Sequence, residues 1–239
     1  MSFVRSGAPS AGRCSAVKAT YGATPLDHEE LDALIPQVRQ IIGQHPAKAQ
    51  VYLLEELALE QTEDALLETV LERRLGLDDL LSDYALRALH TDLYADLWTW
   101  AGTYRRRELN LGVAPELIPM EVRASMDNLL FRWRETSDWD AATLGVAAHA
   151  EMVRIHPFTD GNGRATRLLA DLVLAAALLE QEGDGAPCAD ASGRAGAATG
   201  LRQYDWDVER VRYIDLLREY DVHRDPAPLA ALVGTRALG

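Results

Sequence analysis

Apolar and polar residues alternate with a helical period along most of this 239-residue chain. Apolar side chains recur every three or four positions, the spacing that places them on one face of an α-helix. The pattern predicts a mostly α-helical fold, with Pro36 kinking the first helix. Helices are expected over residues 27–42, 47–74, 78–98, 120–134, 141–155, 162–180 and 207–222.

One interval breaks the helical period. The stretch 102–119, GTYRRRELNLGVAPELIP, contains Gly102, Gly112, Pro115 and Pro119, with short alternating segments between them. Glycine and proline interrupt helices and favour turns, and alternation of apolar and polar residues is typical of strands. The interval is therefore predicted to form a small β-hairpin or an extended loop.

The pattern also divides the chain into regions. The first twenty residues contain three basic residues, no acidic residue and no continuous apolar run, which indicates a disordered tail and not a secretory signal. A stretch rich in Gly and Ala, QEGDGAPCADASGRAGAATG, interrupts the helices near the C-terminus and is typical of a flexible surface loop. We expect a tail (1–20), an N-terminal helical region (21–75), a core (76–181), a flexible loop (182–205) and a C-terminal helix and tail (206–239).

Composition narrows the class of partner. The chain has 24 Lys and Arg against 37 Asp and Glu, a formal net charge of −13, which disfavours nucleic acid as a partner. Cys14 and Cys188 have no CxxC spacing, so neither a disulfide framework nor a zinc site is expected. No apolar run reaches the length of a membrane span. These features predict a cytoplasmic protein without a membrane partner.

A cluster of polar residues stands directly before the most apolar helix. Residues 156–167 read HPFTDGNGRATR. Gly161 and Gly163 flank Asn162, permit unusual backbone angles and expose backbone N–H groups at the start of a helix. Arg164 and Arg167 lie on one face of the first turns. Because a helix N-terminus and guanidinium groups both attract anions, the cluster predicts a polyphosphate site.

Two further residues of this cluster indicate chemistry beyond binding. Asp160 offers a hard oxygen ligand, and Mg²⁺ is usually held by one or two carboxylates together with substrate phosphates. His156 can accept a proton near neutral pH and is a candidate general base. Each residue alone has an ordinary structural explanation, such as a helix cap or a turn. Their order within twelve residues favours a site for a nucleotide, a magnesium ion and a base.

The same stretch resembles the signature of Fic-domain proteins, H-x-F-x-D/E-G-N-G-R-x-x-R. All eight specified positions match, and these are His156, Phe158, Asp160, Gly161, Asn162, Gly163, Arg164 and Arg167. Most Fic proteins with the full motif transfer AMP from ATP to a hydroxyl group of a target protein. The resemblance implies a helical bundle around a central, motif-bearing helix pair, with a small β-hairpin flap.

The resemblance also implies a role for each motif residue. His156 would deprotonate a Ser, Thr or Tyr hydroxyl of the target, and Phe158 would anchor the loop in the core. Asp160 would hold Mg²⁺ against the α- and β-phosphates of ATP. The three residues Gly161, Asn162 and Gly163 would form the anion site, with Asn162 also bonding the α-phosphate. Arg164 would bind the β-phosphate side, and Arg167 the γ-phosphate.

The likeness extends from about Pro25 to Val233. The segments DLWTWAGTYR and AAHAEMVRIHPF resemble those that precede the flap and the motif in Fic proteins. The layout looks closest to the bacterial subgroup called mobile mystery protein B. His149 has no counterpart in the motif, so we expect a structural role for it.

The interval 108–118 is the candidate flap, because it breaks the helical period. In Fic proteins the flap holds the target by main-chain hydrogen bonds, whereas the alternative is an ordinary surface connection. The target-binding residues would be Glu108, Leu109, Asn110, Leu111, Gly112 and Val113.

The inhibitory motif of many Fic proteins, S/T-x-x-x-E-G/N, is absent from this sequence. Either a glutamate such as Glu60 or Glu63 reaches Arg167 from the long N-terminal helix, or a separate antitoxin chain supplies the inhibitor. We expect Glu60 and Glu63 to be exposed to solvent, since this is the usual state of glutamate.

Several functions compete with AMP transfer from MgATP. A Fic relative could use another nucleotide donor, because the loop recognises phosphates and says little about the base, or it could remove AMP from modified proteins. A phosphotransferase of the Doc kind is disfavoured, because that group departs from the sequence G-N-G-R. A non-catalytic nucleotide-binding regulatory module is the alternative outside enzymes, although pure binding would not require His156.

Overall fold

The computed structural model describes Leu26 and residues 28–43, 46–184 and 202–237. The tail expected at 1–20 lies outside the described residues, as does most of the loop expected at 182–205. Both cysteines also fall outside them. The division of the chain into five regions therefore stays a prediction.

The described residues are mostly α-helical, which confirms the predicted fold class. None of the helices in these ranges combines the length and apolarity that a membrane crossing requires. The helices and strands, in chain order, are α1 His28–Ala33, α2 Pro36–Ile42, α3 Lys48–Leu71, α4 Leu77–Leu80, α5 Asp83–Tyr94, α6 Ile118–Glu135, α7 Ala141–Ile155, α8 Asn162–Asp184, β1 Arg202–Tyr204, α9 Arg210–His223, α10 Ala227–Val233 and β2 Thr235–Ala237.

Two predicted helices are each divided in the structure. Pro36 is the first residue of α2 and does not kink a continuous helix, because its missing N–H and fixed φ suit the first turn. The expected helix over 78–98 is broken at Ser82, whose hydroxyl accepts a hydrogen bond from the Ala85 N–H. A serine that caps a helix in this way favours a new start.

The pair formed by α7 and α8 is the centre of the fold. Both helices are buried over most of their length, and their buried side chains include many alanines, such as Ala147 and Ala148. Small side chains allow two helix axes to approach closely. Asp140 caps the start of α7 by accepting a hydrogen bond from the Thr143 N–H at 2.7 Å. The connection from α7 to α8 carries the motif.

The remaining elements surround this pair. Helices α3, α4 and α5 pack against α8, whereas α6, α9 and α10 pack against α7. Strands β1 and β2 pair antiparallel, with Gln203 opposite Arg236, and β1 contacts α8. The motif connection therefore lies between elements from both ends of the described chain.

The expected hairpin does not form at the candidate flap. Residues 108–114 contain no strand, and a short 3-10 helix spans Pro115–Leu117. The two-stranded sheet is instead made by β1 and β2. The backbone near the flap bonds to the end of α7 and not across a hairpin, since the Val113 N–H donates to the Ile155 carbonyl at 3.2 Å.

Two histidines are completely buried in this core. Burial lowers the pKa of His90 to about 4. Burial and the charge of Arg167 lower the pKa of His149 to about 3. Both rings are therefore neutral in the folded protein near neutral pH. The unfolded chain binds these protons near the ordinary pKa of about 6.5, so the two histidines destabilise the fold as the pH falls below that value.

We predict that His149→Gln reduces the acid sensitivity of the fold. Each buried histidine should lower the free energy of unfolding by about 1.4 kcal/mol between pH 7.5 and 5.5. Asp171 acts in the opposite direction, because burial raises its pKa to about 6. Urea unfolding at both pH values measures the change for the wild type and the variant. Equal changes in the two proteins would contradict the buried, neutral state of His149.

Candidate active site

His156 follows the last residue of α7 and has left-handed backbone angles, with φ of 53°. This conformation ends the helix and turns the chain toward the loop before α8. Burial, followed by the charge of Arg105, lowers the pKa of His156 below its usual value. The ring lines an open cleft and is half-buried. A neutral imidazole facing a cleft can accept a proton.

The loop between α7 and α8 is fixed by its own side chains. Phe158 is fully buried. The Asn162 amide oxygen accepts from the Phe158 N–H at 2.9 Å, and its nitrogen donates to the Phe158 carbonyl at 2.8 Å. The Asn162 side chain is therefore occupied within the loop, and the expected contact of Asn162 with the α-phosphate stays a prediction. Asn162 can still offer its backbone N–H to an anion.

Side chains of helix α5 also bind the same loop. His90 stacks on Phe158 with ring centroids 3.6 Å apart. Its Nδ1 accepts from the Gly102 N–H at 2.9 Å, so Nε2 carries the proton and donates to the Asp160 carbonyl at 3.1 Å. The Tyr94 hydroxyl donates to the Gly161 carbonyl at 3.4 Å. Two successive carbonyl groups of the loop are thus directed toward α5.

Gly161 is required by this arrangement. Its φ is +73°, and a Cβ atom would lie 2.5 Å from the Tyr94 ring. Residues with a Cβ atom rarely adopt a positive φ, and a contact this short would force the Tyr94 ring to move. With the carbonyls held by α5, the loop presents its other side to the cleft.

The N-terminus of α8 faces the cleft with free donors. The first intrahelical bond runs from the Ala165 N–H to the Gly161 carbonyl at 3.1 Å. The N–H groups of the three preceding residues have no acceptor within the helix. A Cβ atom on Gly163 would meet nothing nearer than an Arg167 nitrogen at 3.9 Å. The space above this helix turn is therefore open for an anion.

The motif residues line one cleft of about 590 Å³. Helix α3 forms its opposite wall, and the lining residues are Tyr52, Glu55, Glu56, Leu59, His156, Asp160, Gly161, Asn162, Gly163, Arg164 and Arg167. The cleft therefore brings together the predicted base, the predicted metal ligand, the anion loop and both arginines. Phe158 is the one motif residue below the surface of the cleft.

Asp160 is exposed at the edge of this cleft. One of its carboxylate oxygens accepts from the Gly161 N–H at 2.7 Å. Across the described ranges, no group of three or more His, Cys, Asp or Glu side chains could hold a metal ion. A single carboxylate suits Mg²⁺ only where phosphate oxygens complete the shell. The donor set fits a metal that arrives with a nucleotide.

A glutamate from α3 contacts the first motif arginine. Glu55 Oε2 accepts from Arg164 Nη1 at 2.5 Å, and Glu55 Oε1 accepts from Trp98 Nε1 at 2.8 Å. The Glu55 side chain is only 6% exposed, compared with 35% for Arg164. Because the pair is largely shielded from water, its attraction is stronger than that of a surface pair. Glu55 therefore occupies a guanidinium that faces the cleft.

The expectations for Glu60 and Glu63 have different outcomes. Glu60 is exposed, as expected. Glu63 is half-buried in a small pocket beside Leu67 and Asp171, so the expectation of exposure is wrong for this residue. Neither forms an ion pair with Arg167 in the described part of the chain. The carboxylate that contacts a motif arginine is that of Glu55, which lies one to two helical turns before Glu60 and Glu63 in α3.

Arg105 joins the candidate flap to the end of α7. It is 4% exposed and donates to the His156 carbonyl at 2.7 Å, to the Arg107 carbonyl at 2.9 Å and to the Val113 carbonyl. Gly112 has φ of +88°, and a Cβ atom there would lie 2.7 Å from both Arg105 and His156. The flap backbone is therefore packed directly against His156. Leu109 and Leu111 are exposed.

The fold and the cleft define a helical protein in which the start of α8, two arginines and a histidine line one cleft. Residues 80–174 match the sequence model of the Fic/DOC family. This match includes the whole motif, α5 and most of α8. The central part of the chain is thus similar to domains of the Fic/DOC family. The subgroup suggested by the layout stays a prediction.

Two nematode proteins are similar in sequence to this chain. The protein adenylyltransferase fic-1 of Caenorhabditis briggsae is 38% identical over 78 residues, which cover 31% of this chain and 15% of that protein. Its counterpart in Caenorhabditis elegans is 35% identical over the same length. The chain therefore aligns with a small part of these relatives.

Solved structures share the fold over most of the chain. The N-terminal Fic domain of a Bep effector protein from Bartonella quintana with bound ADP has a TM-score of 0.53 and 15% identity, covering 80% of this chain and 86% of that one. A Fic domain protein from Bacteroides thetaiotaomicron has a TM-score of 0.51 and 19% identity, covering 82% and 69%. At these identities the likeness concerns the fold alone.

Several residues of the site were not identified from the sequence. His90, Tyr94 and Glu55 lie far from the motif in the chain, and their residue types carry no signal that separates them from neighbours of the same kind. Arg105 ends the segment DLWTWAGTYR, whose resemblance to the region before the flap was the available indication. Their roles depend on contacts between distant elements.

We predict that Glu55→Gln strengthens nucleotide binding. Glutamine keeps the side-chain size and an acceptor for Trp98 but removes the charge that competes for Arg164. The dissociation constant for MgATP, measured by isothermal titration calorimetry, should fall about tenfold, or ~1.4 kcal/mol.

Glu56→Gln is the matched control, because Glu56 lines the same cleft but is exposed and has no ion pair in the described part of the chain. It should change the affinity by less than about twofold, since exposed charges are screened. Equal effects of the two substitutions would indicate a general charge effect and not competition for Arg164.

Proposed function

We propose that this chain is a protein adenylyltransferase, which transfers AMP from MgATP to a Ser, Thr or Tyr hydroxyl of a target protein. The observation that carries the proposal is the single cleft in which His156, Asp160, the open N-terminus of α8 and both motif arginines meet. The partial match to protein adenylyltransferase fic-1 supports the same reaction.

In the proposed reaction, His156 removes the proton from the target hydroxyl. The hydroxyl oxygen then attacks the α-phosphorus, and the bond to the bridging oxygen breaks, so that pyrophosphate leaves. The lowered pKa of His156 keeps the ring neutral and ready to accept this proton. Catalysis otherwise consists of positioning and neutralisation of charge, as is typical of phosphoryl chemistry.

The phosphates would lie along the start of α8. The free N–H groups of Asn162, Gly163 and Arg164 would hold the α- and β-phosphates, with the Arg164 side chain on the β-phosphate side. Arg167 would bind the γ-phosphate. Asp160 would hold Mg²⁺ with phosphate oxygens, and the ion would neutralise charge on the leaving pyrophosphate.

The target would bind at the flap. Residues 108–113 form an irregular segment without internal strand pairing. Both backbone groups of Val113 are bonded, to Ile155 and to Arg105, so the backbone of 108–112 is the part available for an added strand. Arg105 ties this segment to the His156 carbonyl. A target bound to the flap would therefore be held at a fixed position relative to the base.

Glu55 would keep the resting chain from binding ATP productively. A β-phosphate and the Glu55 carboxylate cannot both occupy Arg164, since two anions at one guanidinium repel each other. An intrachain carboxylate reduces the need for a separate antitoxin, which remains the other source of inhibition. The sequence led us to expect that Glu60 or Glu63 reaches Arg167. The proposed inhibitory pair is instead Glu55 and Arg164.

We predict that label from [α-³²P]ATP, but not from [γ-³²P]ATP, is retained on protein when Glu55→Gln is incubated with a host lysate and Mg²⁺. The α-phosphate stays with AMP on the target, whereas the γ-phosphate leaves with pyrophosphate. Gel autoradiography detects both outcomes. Label from γ alone would instead indicate a kinase, and the same assay with other nucleotides tests the choice of donor.

The matched control is His156→Ala in the Glu55→Gln background. It should abolish transfer, by at least about 100-fold, and leave MgATP affinity within about twofold of the parent. Full transfer by this variant would overturn the assignment of the base. Binding without transfer from any donor would favour the regulatory nucleotide-binding module.

A further inference from the structure

Each oxygen of the Glu55 carboxylate has one partner among the described residues. Oε2 accepts from Arg164, and Oε1 accepts from the indole N–H of Trp98 at 2.8 Å. Glu55 is 5% exposed and Trp98 is 6% exposed, so water has little access to the hydrogen bond between them. The charged guanidinium and the neutral indole therefore hold the carboxylate from two sides.

Trp98 is fixed by the N-terminal helices and not by α3. It follows α5 and forms an isolated antiparallel bridge with Leu34, which lies between α1 and α2. Backbone hydrogen bonds on both sides of this bridge, of 3.0 and 2.9 Å, tie the segment 97–99 to residues 33–35. Because both ends of this segment are bonded, the indole has little freedom to move away from Glu55.

The Trp98 ring is also held by stacking. Trp98 and Trp100 have ring centroids 5.3 Å apart, with 19° between the ring planes. Trp100 packs against Tyr94 with centroids 5.5 Å apart, and the Tyr94 hydroxyl donates to the Gly161 carbonyl in the motif loop. The indole that binds Glu55 thus belongs to the aromatic cluster that also holds the motif loop.

The indole N–H determines where the Glu55 carboxylate can rest. A buried carboxylate oxygen without a donor costs free energy. Beside Arg164 both oxygens have a donor, but Oε1 would have none there if the Trp98 N–H were removed. Because Glu55 lines the cleft, its carboxylate could then turn toward water without opening the core. The pair with Arg164 would weaken as a result.

We propose that Trp98 is a positioning residue that holds the Glu55 carboxylate on Arg164 and thereby sets how strongly the resting chain resists MgATP. This inference rests on the proposed function, in which Glu55 competes with the nucleotide for Arg164. It extends the control of the cleft to the segment 97–99 and to the junction of α1 and α2 behind it.

The test is Trp98→Phe in the full chain, with the dissociation constant for MgATP measured by isothermal titration calorimetry. Phenylalanine keeps an aromatic ring for stacking and removes the N–H. We expect MgATP to bind about fivefold more tightly, since the competing pair has lost the support of one hydrogen bond. General damage to the fold would act in the opposite direction, because a disordered cleft binds nucleotide less tightly.

Trp100→Phe is the matched control. Trp100 belongs to the same stacked pair and is half-buried, but its indole N–H has no hydrogen bond within the part of the chain that the structure describes. This substitution should lower the thermal stability and change MgATP affinity by less than about twofold. Equal tightening in Trp98→Phe and Trp100→Phe would indicate a loosened aromatic cluster and would count against the hydrogen bond.

Two further variants sharpen the result. In the Glu55→Gln background, Trp98→Phe should change MgATP affinity by less than about twofold, because glutamine has no charge with which to hold Arg164. If Trp98→Phe does not fold, Trp98→3-benzothienylalanine replaces only the N–H by sulfur and should give the same tightening. An unchanged or weaker affinity, or equal tightening with and without the Glu55 charge, would overturn the inference.

The outcomes separate this inference from the proposed function. A chain in which Glu55→Gln and Trp98→Phe both tighten MgATP binding, but which retains no α-label on protein, would keep the positioning role and remove the transferase. A chain that transfers AMP while Trp98→Phe leaves MgATP affinity unchanged would keep the transferase and remove the positioning role.

Discussion

The site depends on the interaction of the Asn162 side chain with the backbone of Phe158. This pair of hydrogen bonds closes the loop after α7 and leaves no freedom in the turn that precedes α8. His90 then stacks on the Phe158 ring and bonds to the Asp160 carbonyl. Because these contacts lie in the core, the cost of ordering the loop is met by folding and not by ligand binding.

Charged and uncharged side chains have different roles around this loop. Asn162, His90 and Tyr94 contact the loop through uncharged groups, so these side chains fix its geometry without adding a charge at the start of α8. Glu55 is the exception, because it brings a buried negative charge to Arg164. Arg164 is therefore the motif arginine that a carboxylate of the chain already holds, and in the proposed function its release from Glu55 would control nucleotide binding.

The sequence was sufficient for the parts of the molecule that depend on local pattern. Helical periodicity predicted most helices, and the twelve-residue motif identified residues that the structure brings to one cleft. It could not predict that Ser82 divides a helix, since the apolar period continues through it. The sequence also could not predict that the Asn162 amide closes the loop, because its partner is a backbone group, which leaves no trace in the sequence. Glu55 pairs with a residue 109 positions away, and only the packing of α3 on α8 selects it from many glutamates.

The most direct test of this account is a crystal structure of Glu55→Gln with Mg²⁺ and a non-hydrolysable ATP analogue. We predict that the backbone of 156–162 keeps its present conformation and that the phosphates bind the free N–H groups of residues 162–164. Arg164 should turn from residue 55 to the nucleotide, and Arg167 should lie beside the terminal phosphate. A loop that rearranges around the nucleotide, or phosphates bound away from the start of α8, would contradict the account.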